Sequence, residues 1–381
     1  MSLTLLETSP VELRHVLHAS PELSGLESGT AGRVASWLEQ AGADRVIRGL
    51  GGHGVAGVFS GREAGPRLLL RAELDALPID EQEGHAWQSR HAHVAHSCGH
   101  DGHMAILLAV AARLARQRPA KGEVVLLFQP SEETGEGARR VVGASGFEAI
   151  RPDFAYALHN LPGAPLGEVS VRPGAFTCAS RGLIVRLTGL CSHAAHPELG
   201  RNPAMAMCRI LQGLKRLPQQ LPDDHGLVMV TLIHARLGEV AFGTSPGQAE
   251  VMATLRTASD DMMRALAEAA VALVRAEAEE DQLGVEIDWC DTFAATNNDD
   301  EAVKVIEKAA REMDLVLSPM SAPHRWSEDF GALSETCRGA MFTLGAGEEC
   351  HPLHHPGYDF PDELVEIGAG IFHRLIEHHL A

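Results

Sequence analysis

The sequence predicts an α/β fold: a parallel-type α/β domain with a ferredoxin-like α+β domain inserted into it. Three observations carry this expectation. Between Ser9 and Asn160, short apolar runs of buried-strand type alternate with helical patterns, as in a parallel sheet covered on both faces. From Gly182 to Trp289 the order of elements changes to βαββαβ, the ferredoxin-like arrangement. After that the chain returns to mixed α/β. At roughly 150 residues per domain, 381 residues make two domains or three. The expected organisation is residues 1–179 and 293–381 as one discontinuous domain, with residues 180–292 inserted. No internal repeat or low-complexity tract interrupts it.

Pro10-Val-Glu-Leu-Arg-His-Val-Leu17 follows Ser9, an N-cap residue with proline at the first helical position. A second helix, Gly29 to Gly42, lines up Val34, Trp37 and Leu38 on one face. Arg67-Leu-Leu-Leu-Arg-Ala72 reads as a buried strand that ends in Glu73-Leu-Asp75-Ala-Leu-Pro78. A His-rich loop leads to an apolar helix, Met104 to Gln117. Glu123 to Phe128 is a second buried strand, followed by Gln129-Pro-Ser-Glu-Glu133 and a short helix to Val142. Phe154 to Leu158 is a third strand, ending at His159. In the insertion, strands are expected at 182–188, 227–233, 250–256 and 285–289, with helices at 202–217 and 259–280. Ser259-Asp-Asp caps the second of these helices. The remainder carries a helix from Asp300 to Met313, a strand near Ala340 to Leu344, and a helix from Pro361 to His379. The acidic and histidine residues fall just after strand ends, where open α/β sheets place ligands.

Composition excludes several classes. The chain is 45% hydrophobic and 22% charged, ordinary for a globular protein and unlike a disordered one. Its net charge of −19 offers no basic footprint for nucleic acid. A small anionic substrate would need only one local arginine. No run approaches the roughly 18 apolar residues of a membrane span, so no membrane partner is expected. Met1 to Glu12 contains Glu7 and Glu12 and lacks a basic stretch or cleavage site, so no signal peptide is expected. Seven cysteines, an odd number without regular spacing, do not make a disulfide framework. The expected compartment is the cytoplasm. Histidine is over-represented: 21 in all, six of them between His85 and His103.

The strongest chemical signal is His96-Ser-Cys98-Gly-His100-Asp101-Gly-His103. Cysteine and histidine two apart cannot face one point on a regular helix, but a glycine-loosened loop can aim both inward. Thiolate plus imidazole is a transition-metal ligand pair. Later strand ends add Glu132-Glu133 and His159, and the tail adds His354. Five candidate donors after separate strands suit one or two divalent ions, with Cys98 able to bridge them. The adjacent glutamates point to different sides, so one carboxylate can hold metal while the other meets the activated water. A divalent ion lowers the pKa of a coordinated water towards about 7. A neighbouring carboxylate can then take the proton and pass it to a leaving amine.

Together with these motifs, Leu17-His-Ala-Ser-Pro-Glu-Leu-Ser24, Arg71-Ala-Glu-Leu-Asp75-Ala-Leu-Pro78, Leu158-His159-Asn160, Ser192-His193-Ala-Ala, Ser327-Glu-Asp-Phe330 and Leu353-His354-His-Pro-Gly-Tyr358 carry a resemblance. The chain resembles, nearly end to end, the amidohydrolases of peptidase family M20, in the branch of hippurate hydrolases, N-acyl-amino-acid amidohydrolases and indole-acetyl-amino-acid hydrolases. The resemblance implies a metal-dependent hydrolase of C–N amide bonds acting on a small-molecule substrate. Residues 1–179 and 293–381 would be its metal-binding catalytic domain and 180–292 a lid that commonly also makes a homodimer. It implies two divalent ions on Cys98, His100, Glu133, His159 and His354, with Cys98 as bridge. Cysteine and histidine favour Zn, Co or Ni and the carboxylate admits Mn, so Zn or Mn is expected first. Glu132 falls on the general base and Asp75 on an acidic position that orients the site. His193 falls on a lid histidine that reaches the substrate carbonyl, often across the dimer, and would stabilise the oxyanion.

Two departures bear on these expectations. Glu73 stands where the family usually has Asp, so the strand end that carries Asp75 is expected to sit differently. The lid reads Gly243-Thr-Ser-Pro246 where relatives often read Asn-Val-Ile-Pro, which removes an amide that would contact substrate. Arg256, at the end of a strand, is a candidate for a bidentate pair with a substrate carboxylate. His85, His91, His93 and His96 read as a solvated loop, with a secondary metal site as the alternative. His355 is the next candidate if His354 is out of register. The same site chemistry would also serve a dipeptidase, a carboxypeptidase or an aromatic deaminase. A non-catalytic metal-binding module is the reading from outside enzymes.

Overall fold

The structure, a computed structural model, describes residues 6–82, 84–221 and 226–381. The first five residues of the stretch read above for a signal peptide lie outside the described residues. In chain order the elements are α1 (Pro10–His18), α2 (Ser28–Gln40), β1 (Arg45–Leu50), β2 (Gly54–Ser60), β3 (Glu63–Glu73), α3 (His100–Arg116), β4 (Lys121–Gln129), α4 (Gly137–Val142), β5 (Phe154–Leu161), β6 (Val169–Val171) and β7 (Gly174–Thr177). They continue with β8 (Ala179–Thr188), β9 (Ser192–His193), α5 (Ala204–Arg216), β10 (Val228–Leu237), β11 (Thr244–Ser245), β12 (Gln248–Thr257), α6 (Asp260–Glu280) and β13 (Gly284–Phe293). The last are β14 (Thr296–Asn298), α7 (Asp300–Glu312), β15 (Leu317–Pro319), α8 (Gly331–Ser334), β16 (Arg338–Gly345) and α9 (Glu363–Leu380).

The chain divides into two compact units. One holds Met1–Phe176, Thr296–Pro323 and Glu328–Ala381; the other holds Thr177–Ala295 and His324–Ser327. The first is built on an eight-stranded sheet of order β1-β2-β4-β3-β5-β16-β6-β15. Its centre, β4-β3-β5-β16, is parallel throughout, and Leu68, Leu69, Leu70, Val124, Val125 and Leu126 are fully buried there. That explains why these strands read as continuous apolar runs rather than alternating ones. The sheet as a whole is mixed, because β1 and β2 pair antiparallel across a turn in which Gly51 and Gly52 have φ of 63° and 126°. Two strands joined by so short a turn can only fold back on each other. Ser9 begins α1 with a full capping box to Glu12.

The second unit is a four-stranded antiparallel sheet of order β10-β12-β8-β13, the ferredoxin-like order. Along β12, buried and half-buried residues alternate. Val251, Ala253 and Leu255 join Leu183, Val185, Ile210, Leu214, Leu266 and Val274 in a core separate from that of the first unit. The other sheet face is polar, with Arg186 pairing to both Glu250 and Asp288. Ser259 caps α6 by accepting the Met262 N–H.

Candidate metal centre

In the first unit the parallel strands β3, β4 and β5 end on the same edge of the sheet, and each is followed by acidic or histidine side chains. β3 leads to Asp75, β4 to Glu132 and Glu133, and β5 carries His159 near its end. The His-rich loop stops earlier than its sequence suggests: α3 begins at His100, four residues before Met104. Gly99, its N-cap, has φ 87°, and this left-handed residue turns Cys98 and His100 towards one point. A Cβ at Gly99 would come within 2.5 Å of Asn160 Nδ2 and 2.7 Å of the Tyr358 hydroxyl oxygen, so only glycine fits there.

The donors converge. Cys98 Sγ lies 3.5 Å from His159 Nε2. His100 Nε2 lies 3.8 Å from Glu133 Oε1 and 3.9 Å from Glu132 Oε2, and His354 Nε2 is 3.8 Å from Glu133 Oε2. Two overlapping groups result, Cys98-His100-His159 and Cys98-Glu133-His354, and within each the donor atoms lie within 4.8 Å of one another. Cys98 belongs to both. His355 does not join; it stacks on His351 at 4.5 Å, and its Nδ1 accepts the Gly357 N–H. His354 holds an unusual φ of 64°, with its N–H donating to the Ser97 carbonyl.

Two of the histidines are oriented through their far nitrogen. His100 Nδ1 donates to the Asp75 carbonyl at 2.9 Å, and His159 Nδ1 donates to the Asn160 carbonyl at 2.8 Å. This is the support that metal-ligating histidines receive from surrounding groups. His100 Nε2 and Glu133 Oε1 are buried and have no hydrogen-bond partner among the described residues. Burial and the nearby Glu133 and Glu132 push the Cys98 thiol well above its usual range. Burial also lifts Glu133 to about 7, with Asp75 adding to it and His100 opposing. Glu132 is likewise pushed well above its ordinary range, by burial and then by Glu328. Buried anions are thus crowded together with too little positive charge, and a divalent cation would reverse each of these shifts. The donor set fits such an ion.

Around the donors lies a set of supports, of which Asp75 alone has a role in the sequence reading above. Asp75 accepts the Glu133 N–H at 3.0 Å and the Ser24 hydroxyl at 2.7 Å. Asn160 donates to the Cys98 carbonyl at 2.7 Å and accepts from Tyr358 at 2.6 Å. His103 accepts the Asn160 N–H, so its Nδ1 carries the proton and donates to Glu73 at 2.7 Å. Glu73 also pairs with Arg71. Arg71 is fully buried and grips Glu328 bidentately, at 2.9 and 2.7 Å, and Asp329 at 2.7 Å. An arginine inside an apolar run such as Leu68-Leu-Leu-Arg71-Ala72 demands buried carboxylates. Glu27 accepts the N–H groups of Gly25 and Ser131, each at 2.8 Å.

The other predicted residues lie in the second unit. His193, on β9, is exposed, and its Nδ1 accepts the Ala195 N–H at 3.1 Å. Arg256 ends β12 half-buried and donates to the Ser327 hydroxyl at 2.8 Å and the Arg325 carbonyl at 3.2 Å. Among the described residues no carboxylate pairs with it. Of the histidine run, His91 and His93 are exposed, but the solvated-loop expectation fails for the other two. His96 is buried, and burial drives its pKa down to about 3; His85 stacks on Trp87.

The sequence model of peptidase family M20/M25/M40 matches residues 69–378. The chain belongs to that family. It is 28% identical to a hippurate hydrolase of Campylobacter jejuni over 370 residues, covering 96% of this chain and 94% of that one. It is 29% identical to an N-acetyl-L-cysteine deacetylase of Bacillus subtilis over 376 residues, covering 98% of this chain and 88% of the other. A solved Bacillus subtilis structure described as a dinuclear metal binding peptidase from the M20 family superposes with a TM-score of 0.81 at 25% identity, covering 97% of each chain. This M20 chain is accordingly a metal-dependent amide-bond hydrolase. No helix among its described residues is long and apolar enough to cross a membrane.

Proposed function

We propose that the chain cleaves the amide bond of N-acyl amino acids or similar small acyl-amines, with two divalent ions on Cys98, His100, Glu133, His159 and His354. The observation that carries this reading is the pair of overlapping donor groups sharing Cys98, beside the Glu132 carboxylate, 3.9 Å from His100. Zn or Mn suits the mixture of thiolate, imidazole and carboxylate first, with Co or Ni as further candidates. When bound, the ions supply Lewis-acid polarisation of the scissile carbonyl and acidify water.

Glu132 takes the proton of the attacking water and hands it to the departing nitrogen. The C–O bond forms, the C–N bond breaks, and a carboxylate and an amine leave. Asp75 orients the site through its carbonyl on His100 and its carboxylate on the Glu133 N–H. His193, exposed on the lid, is assigned to the developing oxyanion, from the lid of a second copy. Arg256, a half-buried guanidinium without a paired carboxylate among the described residues, is assigned to the substrate carboxylate. The seven unpaired cysteines support a cytoplasmic location.

The test is a panel of N-acetyl, N-benzoyl and indole-acetyl amino acids beside dipeptides, assayed on metal-stripped protein with each ion added back. Ion-dependent cleavage of the acyl amino acids is expected. Preference for dipeptides would move the assignment to a peptidase, and no hydrolysis with any ion would favour a binding module.

A further inference from the structure

Outside the five donors, a second set of metal-type side chains converges in the first unit. His18 ends α1, and Glu81 and His85 lie in the segment between β3 and α3. Their donor atoms all lie within 4.8 Å of one another. His18 Nε2 and His85 Nε2 each approach the same oxygen, Glu81 Oε1, at 2.8 Å. The other Glu81 oxygen is fixed by the Ser89 N–H at 2.6 Å. His18 Nδ1 is held by Asp101 at 2.8 Å, and Asp101 in turn by Arg14 at 3.1 Å.

We propose that His18, Glu81 and His85 form a third cation site for a borderline divalent ion such as Zn(II). Two imidazoles and one carboxylate are a zinc-type set, with further positions left for water; Mg and Ca prefer all-oxygen surroundings. The carboxylate behind His18 Nδ1 is the support that orients a ligating histidine and raises its basicity. The side chains of His18 and Glu81 are 1% and 4% exposed, whereas that of His85 is 19% exposed, so the site is walled on one side and open on the other. The charged groups around it are Glu81, Asp101, Asp359 and Asp362 against Arg14 and His18. In the metal-free chain His18 supplies the second positive charge: against the cost of burial, Asp101 and Glu81 raise its pKa to about 10. Entry of the ion displaces the proton from His18 Nε2 to solvent and leaves four carboxylates around one guanidinium and a doubly charged ion. Attraction to fixed carboxylates grows with the charge of the cation, so the surroundings that retain the proton also favour its replacement. The ion ties the end of α1 to the side chains of Glu81 and His85 and, through Asp101, to the first turn of α3 next to His100.

The experiment is zinc stoichiometry on the full chain, stripped of metal, dialysed against Zn(II) and read by elemental analysis. H85A is expected to bind one equivalent less than the unmutated protein. E81Q, which keeps the shape of the side chain, is expected to lose the same equivalent. C98A tests the other centre separately, and H85A/C98A should fall one equivalent below C98A. Equal zinc content in H85A and the unmutated protein, or in H85A/C98A and C98A, overturns the proposal whatever C98A does. An anomalous-scattering map from zinc-soaked crystals gives an independent reading: a peak between His18, Glu81 and His85 supports the site, and its absence at full occupancy of the main centre rejects it.

Discussion

Ser131 has φ 53°, a left-handed conformation uncommon for a residue with a side chain, and it directly precedes Glu132 and Glu133. Its N–H is held by the buried Glu27 carboxylate, so Glu27 acts as a positioning residue for the two glutamates without touching substrate. Glu27→Ala leaves the buried Ser131 N–H without its acceptor, an expected cost of about 1–3 kcal/mol. Displacement of the carboxylates should lower kcat by about 10–100-fold with a smaller change in KM. Glu27→Gln keeps an acceptor oxygen and should recover most of the rate; kcat and KM for the three proteins, with urea melts, check this. At Glu132 itself the expectation differs. Glu132→Gln should cut turnover by at least about 10²-fold while metal content stays unchanged, and near-normal turnover would remove Glu132 from the base role.

At the scale of elements, strand ends set donor positions and helix starts aim them. The parallel runs Leu68–Leu70, Val124–Phe128 and Phe154–Leu158 are legible because burial on both faces makes them largely apolar, and that puts Asp75, Glu132, Glu133 and His159 just after strand ends in the sequence alone. The start of α3 was not legible, because His100, Asp101, Gly102 and His103 look like loop residues until their partners are known. Glu73, Asn160 and Arg14 satisfy those polar side chains from distant segments. The tie between α1 and α3 through His18 and Asp101 also carries a pH signature in metal-free protein. The folded pKa of His18 lies near 10, above its ordinary 6.5. Its contribution to stability is therefore fully present below about 6.5 and lost as pH rises through about 10. Urea midpoints of metal-free protein should fall between those limits, and more steeply than in His18→Gln. Parallel pH profiles would detach His18 from the stability of the α1–α3 contact.

For the whole molecule, two separate hydrophobic cores follow from an inserted domain whose helices and strands were readable from periodicity. The edge hairpin β1–β2 is not legible in the sequence, since its first strand is short and mostly uncovered. The Arg71–Glu328–Asp329 cluster was hidden for another reason: its partners are 257 and 258 residues apart in sequence. In the second unit β10 is an edge strand of its sheet, with Leu232 and Ile233 38% and 60% exposed. A strand with one open edge and exposed apolar side chains invites pairing with a second copy. Light scattering should give twice the mass of one 40.8 kDa chain, and a strictly monomeric mass would remove the route by which His193 is assigned to a neighbour's substrate.

The centre itself is most directly tested by an anomalous-scattering map of crystals grown from zinc-reconstituted protein. The expected result is two peaks within about 2.3 Å of Cys98 Sγ, one also bounded by His100 or His159 and the other by Glu133 or His354. Zinc bound elsewhere on the molecule, with no density at Cys98, would contradict the assignment.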